Sequence, residues 1–146
     1  MLEQMLNRAF MDKMAMKVRK RYVEHIFLKG KDVFDKKFKG YSTEYGIRKR
    51  DNKFKRQSSA FKNTTSPVLT GDFMNDCKPY STNNSFGVIW AAYGSRVKHL
   101  ADRGREVTTK EQPFPEAIFK MIGIDINKEV KRKLPKSKTI RIKIGK

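Results

Sequence analysis

The sequence predicts an α+β fold in which a long N-terminal helix packs on a small antiparallel sheet, with short additional helices. Three observations predict it. The first 28 residues contain neither proline nor glycine and are rich in helix-favouring side chains. A cluster of turn-forming residues at 81–85 separates a run ending at Tyr80 from an apolar run at 86–93, as in a hairpin. Glycine and proline then divide the rest of the chain into short segments.

The predicted N-terminal helix, residues 1–28, carries apolar residues on two sides, and Gly30 follows it as a stop signal. One apolar stripe consists of Leu2, Met5, Leu6, Ala9, Met16, Val23 and Phe27, and the other of Met11, Met14, Ala15, Val18, Tyr22 and Ile26. A helix that is apolar on two sides has two surfaces to cover. We expect its own sheet to cover one and a neighbouring subunit the other; the alternative is a loosely amphipathic helix with exposed methionines.

Residues 29–66 are predicted to be an irregular basic arm or loop. Aromatic residues are spread among its lysines and arginines with neither a strand period nor a helix period. Such interleaving is typical of proteins that bind single-stranded nucleic acid. An arm that docks its aromatic side chains on partner subunits fits the pattern equally well. The candidate interface residues here are Phe34, Phe38, Phe54 and Phe61.

The remaining chain is predicted to form the core, residues 67–134, and a basic terminal strand, residues 135–146, within a single structural domain spanning 1–146. We expect helices at 95–102, stopped by Gly104, and at 116–122 and 126–134, ended by Pro135. Strict alternation near the C-terminus predicts a strand with Ile140, Ile142 and Ile144 on one face. These isoleucines are candidate interface residues that pack against a core or a neighbour.

Positive charge is the strongest compositional signal. The chain carries 34 Lys and Arg against 15 Asp and Glu, a formal net charge of +19. Residues 29–62 and residues 128–146 each contribute a net +8, whereas residues 63–127 are neutral. Such a field favours polyanions or acidic protein surfaces. The candidate contacts with phosphate or acidic surfaces are Arg48, Lys49, Arg50, Lys53, Lys55, Arg56, Lys131, Arg132, Lys133, Arg141 and Lys143.

The sequence contains no recognisable catalytic or metal-binding motif. Cys77, His25 and His99 have no metal-ligand spacing, and no phosphate-binding glycine loop or nucleophile elbow occurs. We therefore predict a protein that is not an enzyme and has no cofactor, although scattered carboxylates leave a two-metal nuclease as an alternative. The single cysteine fits a reducing compartment, and no apolar run approaches the ~20 residues that span a bilayer. We expect neither a secretory signal nor membrane insertion.

Three segments in a fixed order resemble phage virion-morphogenesis and tail-completion proteins of the Mu G-like kind, the head–tail connector or neck family. Residues 67–76 (PVLTGDFMND) are similar to that family's apolar–Thr–Gly segment through Leu69, Thr70 and Gly71. Tyr93 and Gly104 lie in a segment similar to its Tyr–Ala…Glu–x–Gly–Thr stretch. Residues 112–118 (QPFPEAI), with Pro113 and Phe114, resemble its Pro–Phe signature. Ser42 and Thr43, followed by residues 48–50 (RKR), resemble the loop that precedes the Thr–Gly segment.

The resemblance implies a structural virion protein that forms a ring at the head–tail connector, neck or tail terminus, around the DNA channel. Its partners would be copies of itself, other neck, portal or tail proteins, and packaged double-stranded DNA. It would be assembled in the host cytoplasm and located in the virion. The alternative from another class is a basic nucleic-acid-binding module for DNA packaging or ribosome association. A membrane-surface role for the N-terminal helix is a third interpretation, because its basic residues could meet anionic lipid.

Overall fold

A computed structural model describes residues 6–57 and 71–134, and residues 1–5, 58–70 and 135–146 lie outside the described residues. The described part forms α1 (Arg8–Val23), a π-helical turn that continues it (Glu24–Leu28), α2 (Thr43–Arg50), α3 (Asp72–Asp76), β1 (Cys77–Ser81), β2 (Phe86–Trp90), α4 (Ser95–Ala101) and α5 (Glu116–Lys133). The two strands form one antiparallel sheet, and α1 lies across both. This architecture confirms the predicted α+β class, with a long N-terminal helix on a small sheet.

Helix α1 is capped at its start and amphipathic along its length. The side-chain oxygen of Asn7 accepts a hydrogen bond of 3.0 Å from the amide of Phe10, which satisfies one of the free donors of the first turn. One predicted stripe is the buried one: Met11, Met14, Ala15, Val18, Tyr22 and Ile26 are each at most 5% exposed. The other stripe is divided, since Phe27 is buried while Met16 is 61% exposed. A covering neighbour for that second side stays a prediction.

Strands β1 and β2 form the predicted hairpin, with Cys77 opposite Trp90 and Ser81 opposite Phe86. The Thr82 amide donates to the Ser85 carbonyl at 2.8 Å, and this bond closes the turn. Because side chains alternate across a strand, Phe86, Val88 and Trp90 face α1 and the core. Tyr80 and Ile89 point to the other face of the sheet, where both are about half exposed.

Tyr22 of α1 lies at the centre of the core. Its ring packs edge-on against Trp90 and Phe114, with centroids 5.8 and 5.7 Å away. Its hydroxyl donates to the carbonyl of Val107, so a buried polar group is satisfied. Phe27 packs edge-on on Tyr22 and also on Phe73. One side chain thus joins α1, the hairpin, the loop after α4 and the start of α5.

The described part of the basic segment is irregular apart from α2, as predicted, but some of its residues pack into the core instead of extending as an arm. Val33 is 1% exposed and its amide donates to the Glu106 carbonyl at 3.0 Å. Phe38 is 4% exposed, and its amide donates to the Gly30 carbonyl at 2.8 Å. Helix α2 occupies the middle of the segment. The partners of these residues lie far away in sequence, or at a turn with no periodic signature, so local periodicity does not reveal them.

The segment after α4 is set by a glycine in a left-handed conformation. Gly104 has φ 69°, and its amide donates to the Ala101 carbonyl at 2.8 Å. The next amide, of Arg105, reaches back to the Leu100 carbonyl at 2.9 Å. These two bonds are those of a Schellman motif, in which glycine is favoured because a Cβ is costly at positive φ. Gly104 therefore both ends α4 and aims Arg105 inward.

The predicted helices 116–122 and 126–134 are one continuous helix, α5, and the expected break between them is wrong. Gly123 sits in the middle of it with an exposed backbone and nothing within 4 Å of its Cβ position. A glycine inside a helix costs only about 0.5–1 kcal/mol, and the packing of the flanking turns exceeds that cost. Ile118, for example, is 3% exposed.

The two glycines allow a matched test by alanine substitution. Gly104→Ala should lower the free energy of unfolding by about 1–2 kcal/mol, because its φ of 69° is unfavourable for any residue with a Cβ. Gly123→Ala should raise it by about 0.5–1 kcal/mol, because it removes backbone entropy in open space. Urea titration of both variants measures the difference. Equal effects would contradict the assigned conformations.

Candidate polyanion-binding surface and subunit contacts

Four aromatic residues of the basic segment form one cluster next to Arg105. The guanidinium carbon of Arg105 lies 3.7 Å from the centroid of the Tyr41 ring and 5.8 Å from that of Phe38. From there the rings continue outward: Tyr41 contacts Tyr45 at 4.5 Å, and Tyr45 contacts Phe54 at 4.7 Å between centroids. We call Phe38, Tyr41, Tyr45, Lys49, Phe54 and Arg105 the cation–aromatic cluster. It attaches the basic segment to the loop after α4.

Two cations are buried inside this cluster. Lys49 is fully buried, and its ammonium nitrogen lies 5.0 Å from the Tyr41 ring centroid. Burial, and to a lesser degree the neighbouring Arg105 charge, lowers the pKa of Lys49 to about 8. Arg105 is 6% exposed; its Nη2 donates to the Lys39 carbonyl at 2.7 Å, while its buried Nη1 has no hydrogen-bond partner among the described residues. Stacking of guanidinium on aromatic faces offsets part of the desolvation cost.

Two predicted contact residues are therefore corrected. Lys49 is wrong as a phosphate contact, because its side chain is in the interior of the protein. Phe38 is wrong as a subunit-interface residue, because it packs in the core of its own chain. Phe54 is half-buried, and the guanidinium carbon of Arg48 lies 4.8 Å from the centroid of its ring. Phe34 is 48% exposed. Phe61 lies outside the described residues.

The other predicted cations of the basic segment are exposed around α2 and its C-terminal turn. Arg50 and Lys53 share Asp51, at 3.1 and 3.8 Å, and Arg56 lies 3.6 Å from Asp72. Exposed pairs of this kind are worth little. Lys55 is exposed and has no ion pair within the described ranges. These five cations are therefore in solvent, while Phe38 and Lys49 are buried.

The second basic region lies in a cleft between α1 and the C-terminal half of α5. The cleft has a volume of about 440 Å³. Its charged lining consists of Lys13, Lys17, Asp125, Lys128, Glu129, Arg132 and Lys133, with Phe10 and Met14 as apolar lining. Lys131 is exposed beside it. Arg132 and Lys133, two of the predicted phosphate contacts, thus line the same cleft as Lys13 and Lys17 of α1, which the sequence analysis did not name as contacts.

The carboxylates of the cleft are already engaged. Glu129 accepts hydrogen bonds from Arg132 at 2.8 and 3.0 Å and lies 3.2 Å from Lys133. The bond from Arg132 is the main reason why the pKa of Glu129 is lowered to about 2. Asp125 pairs with Lys17. Lys13 and Lys128 are exposed and have no ion pair in the part of the chain that the structure describes.

The residues that carry the family resemblance have structural roles where they are described. Gly71 adopts φ 90° at the start of α3. The Tyr93 amide donates to the Asp76 carboxylate at 2.9 Å, and the Arg96 guanidinium lies over the Tyr93 ring. The Pro113 carbonyl accepts from Thr108, and Phe114 packs on Tyr22. Leu69, Thr70, Ile140, Ile142, Ile144, Arg141 and Lys143 lie outside the described residues.

The structure gives no chemical role to the groups that sequence inspection singled out. Burial raises the pKa of the Cys77 thiol to about 12, which makes it a poor nucleophile at neutral pH. His25 hydrogen-bonds the Asp32 carbonyl at 3.0 Å, and His99 is exposed on α4. Residues 6–57 and 71–134 contain no group of three potential metal ligands. No helix formed by these residues has the length and apolarity needed to cross a bilayer.

Sequence reasoning missed Arg105 as a buried cation and Lys13 and Lys128 as facing one cleft. For Arg105 a signal existed. It directly follows Gly104, whose left-handed conformation ends α4 and turns the next side chain inward. For the two lysines no local signal exists, because the cleft arises only when two helices from opposite ends of the chain pack together.

The buried ammonium of Lys49 predicts a specific pH dependence of stability. In the folded chain its pKa is about 8, against 10.5 in an exposed lysine. Between these two pH values the unfolded state binds more protons than the folded state, so the contribution of Lys49 to the free energy of unfolding rises with pH. Below pH 8 Lys49 is charged in the folded state, and the protein bears the full cost of burying that charge. Lys49→Met should therefore stabilise the protein by about 1 kcal/mol at pH 7, with a benefit that shrinks towards pH 10. Urea titrations from pH 7 to 10 measure this, and a benefit that is constant with pH would contradict it.

Comparison of the chain with protein-family models, with curated proteins and with solved structures finds no match. The family resemblance drawn from the three sequence segments is therefore a prediction that rests on those segments alone.

Proposed function

We propose that this protein is a structural virion component of a tailed bacteriophage, and that its copies form a ring at the head–tail connector, neck or tail terminus around the DNA channel. Its partners in this role are its own copies, the adjoining portal, neck or tail proteins, and packaged double-stranded DNA. The proposal combines the resemblance, which covers roughly residues 40–134, with the distribution of apolar and basic groups on the surface.

The observation that carries the proposal is the exposure of large apolar side chains on two opposite sides of the molecule. Helical geometry places Met16 on the side of α1 that faces away from its buried stripe, and it is 61% exposed. Tyr80 and Ile89 lie on the sheet face that points away from α1, and they are 48% and 47% exposed. A closed ring needs two different, complementary patches on each subunit, because its contacts are head-to-tail. Two outer faces of this kind supply such a pair.

The positive charge of the surface is consistent with the same role. The exposed cations are Arg48, Arg50, Lys53, Lys55 and Arg56 around α2, and Lys13, Lys128 and Arg132 in the interhelical cleft. The rings of Tyr41, Tyr45 and Phe54 make contacts within the chain. Contacts from such cations to phosphate are independent of base sequence and weaken as salt rises. A subunit that lines a DNA channel needs this kind of contact, since the DNA has to move through it.

A second candidate is a monomeric nucleic-acid-binding module, which the basic cleft between α1 and α5 favours. That function needs the cations but not the exposed apolar faces. The two functions therefore differ in the exposure of Met16, Tyr80 and Ile89 in solution: a ring buries these side chains between subunits, and a monomer leaves them exposed.

The mass of the purified protein in solution, at low and at high salt and with and without a short DNA duplex, separates the two. The ring proposal predicts a discrete oligomer that survives high salt, because its contacts are apolar. A monomer at all concentrations that binds duplex DNA and releases it as salt rises would contradict the ring and favour the module.

Head-to-tail contact also predicts a complementation pattern. Met16→Gln and Ile89→Gln should each reduce the protein to monomers, and an equimolar mixture should give dimers, because one intact patch of each kind remains. Ile47→Gln is the matched control, since Ile47 is 41% exposed on α2 and belongs to neither face. Monomers alone in the mixture, or equal effects of all three variants, would contradict head-to-tail assembly through these faces.

A further inference from the structure

The cleft between α1 and α5 has the charge and shape of an anion site. Five cations and two carboxylates line it, a net charge of +3. Lys17 is bound to Asp125, and Arg132 and Lys133 are bound to Glu129. The Lys17–Asp125 pair joins the two walls, whereas the pairs of Glu129 lie within α5. Lys13 and Lys128 remain as the cations without a carboxylate among the described residues. One of these lysines comes from each wall.

The backbone of α1 adds donors at the same place. Asn7, the N-cap residue of this 16-residue helix, and Ala9 and Phe10 of its first turn line the cleft. The Phe10 amide is bound to the Asn7 side chain and the Met11 amide to the Asn7 carbonyl, whereas the amides of Arg8 and Ala9 have no hydrogen bond among the described residues. A helix N-terminus carries a partial positive charge and free N–H groups, both of which favour an anion.

Apolar side chains in the lining strengthen the field of these charges. Phe10 and Met14, which are 8% and 1% exposed, line the cleft together with the cations. Electrostatic attraction is stronger beside a low-dielectric wall than in bulk solvent. The negative end of the α5 dipole lies near the cleft too, but its last turn carries Lys131, Arg132 and Lys133, which offset it.

From this geometry we infer that the cleft binds the phosphodiester backbone of duplex DNA, with Lys13 and Lys128 as the two principal contacts from opposite walls. The inference rests on the proposed function, and it assigns the DNA-facing surface of the subunit to the cleft between α1 and α5. Lys17, Arg132 and Lys133 are positioning residues, because their charges are shared with Asp125 and Glu129. The sequence of the DNA does not matter to such a site, since it reads phosphate alone.

Binding of a short duplex at several salt concentrations tests the inference. The double variant Lys13→Gln/Lys128→Gln removes one cation from each wall. Its control, Lys98→Gln/Lys110→Gln, removes the same charge from exposed lysines outside the cleft that likewise have no ion pair among the described residues. The cleft variant should lower the slope of log K against log salt by about 1.8, because each lost phosphate contact contributes about 0.9. The control should change affinity less than about threefold. Thermal melting confirms that both variants fold.

Lysine acetylation footprinting of the unsubstituted protein provides a second readout that needs no variant. Bound duplex should slow acetylation of Lys13 and Lys128 and leave Lys98 and Lys110 unchanged. DNA binding with equal losses in the two double variants, or with no protection of Lys13 and Lys128, would overturn the cleft as the site and leave the proposed function standing. Absence of any DNA binding at low salt would overturn both the cleft and the DNA-facing part of that function.

Discussion

The packing of Tyr22 against the hairpin is the interaction on which the rest of the structure depends. Tyr22 is fully buried, and it contacts Trp90 of β2, Phe114 ahead of α5 and the carbonyl of Val107. A hairpin of two strands is only marginally stable alone, and an amphipathic helix across one face supplies the apolar surface it lacks. Because α1 covers one face of the sheet, the other face of the sheet and the far side of α1 remain outside the core. Those are the two surfaces that the ring proposal uses.

The same core explains how a strongly basic chain folds. Val107 and Arg105 lie on one short stretch after α4, so fixing Val107 under Tyr22 also fixes Arg105. The Arg105 guanidinium then contacts the rings of Tyr41 and Phe38. Tyr41 in turn contacts the remaining rings of the cation–aromatic cluster, beginning with Tyr45. The result is a separation of roles along one segment. The rings of Phe38, Tyr41, Tyr45 and Phe54 make contacts within the chain. Most cations of the segment are exposed to solvent, which screens their mutual repulsion.

Elements with a strong local signature were predictable from the sequence, and elements made by distant contacts were not. The apolar period of α1, the turn cluster before Phe86 and the stop at Gly104 each identified an element within a few residues. The segment after Gly30 was misread, because Val33 and Phe38 pack in a core built from residues far along the chain. Lys49 was misread for the same reason, since an isolated run of basic residues gives no sign that one of them is covered. The gap expected between the helices 116–122 and 126–134 is absent, because an exposed glycine, Gly123, is tolerated within a well-packed helix.

The candidate site divides in the same way. The basic character of residues 131–133 was evident from the sequence. The cleft beside them was not evident, because Lys13 and Lys128 come to line one cleft only when α1 and α5 pack against each other. Charge composition therefore predicted a polyanionic ligand, and tertiary packing shows where the proposed contacts lie. The division of the basic segment into internal rings and exposed cations assumes that this segment is part of a rigid subunit and does not swing as a free arm.

Limited digestion of the full chain by trypsin tests that assumption most directly. The account predicts that the peptide bonds after Lys49 and Arg50 are cleaved far more slowly in the native protein than in a synthetic peptide of residues 41–57, because Lys49 is buried in the cation–aromatic cluster and both residues are helical. Cleavage after Lys49 in the native protein at the rate of the free peptide would show that the segment is a mobile arm, and it would contradict the account.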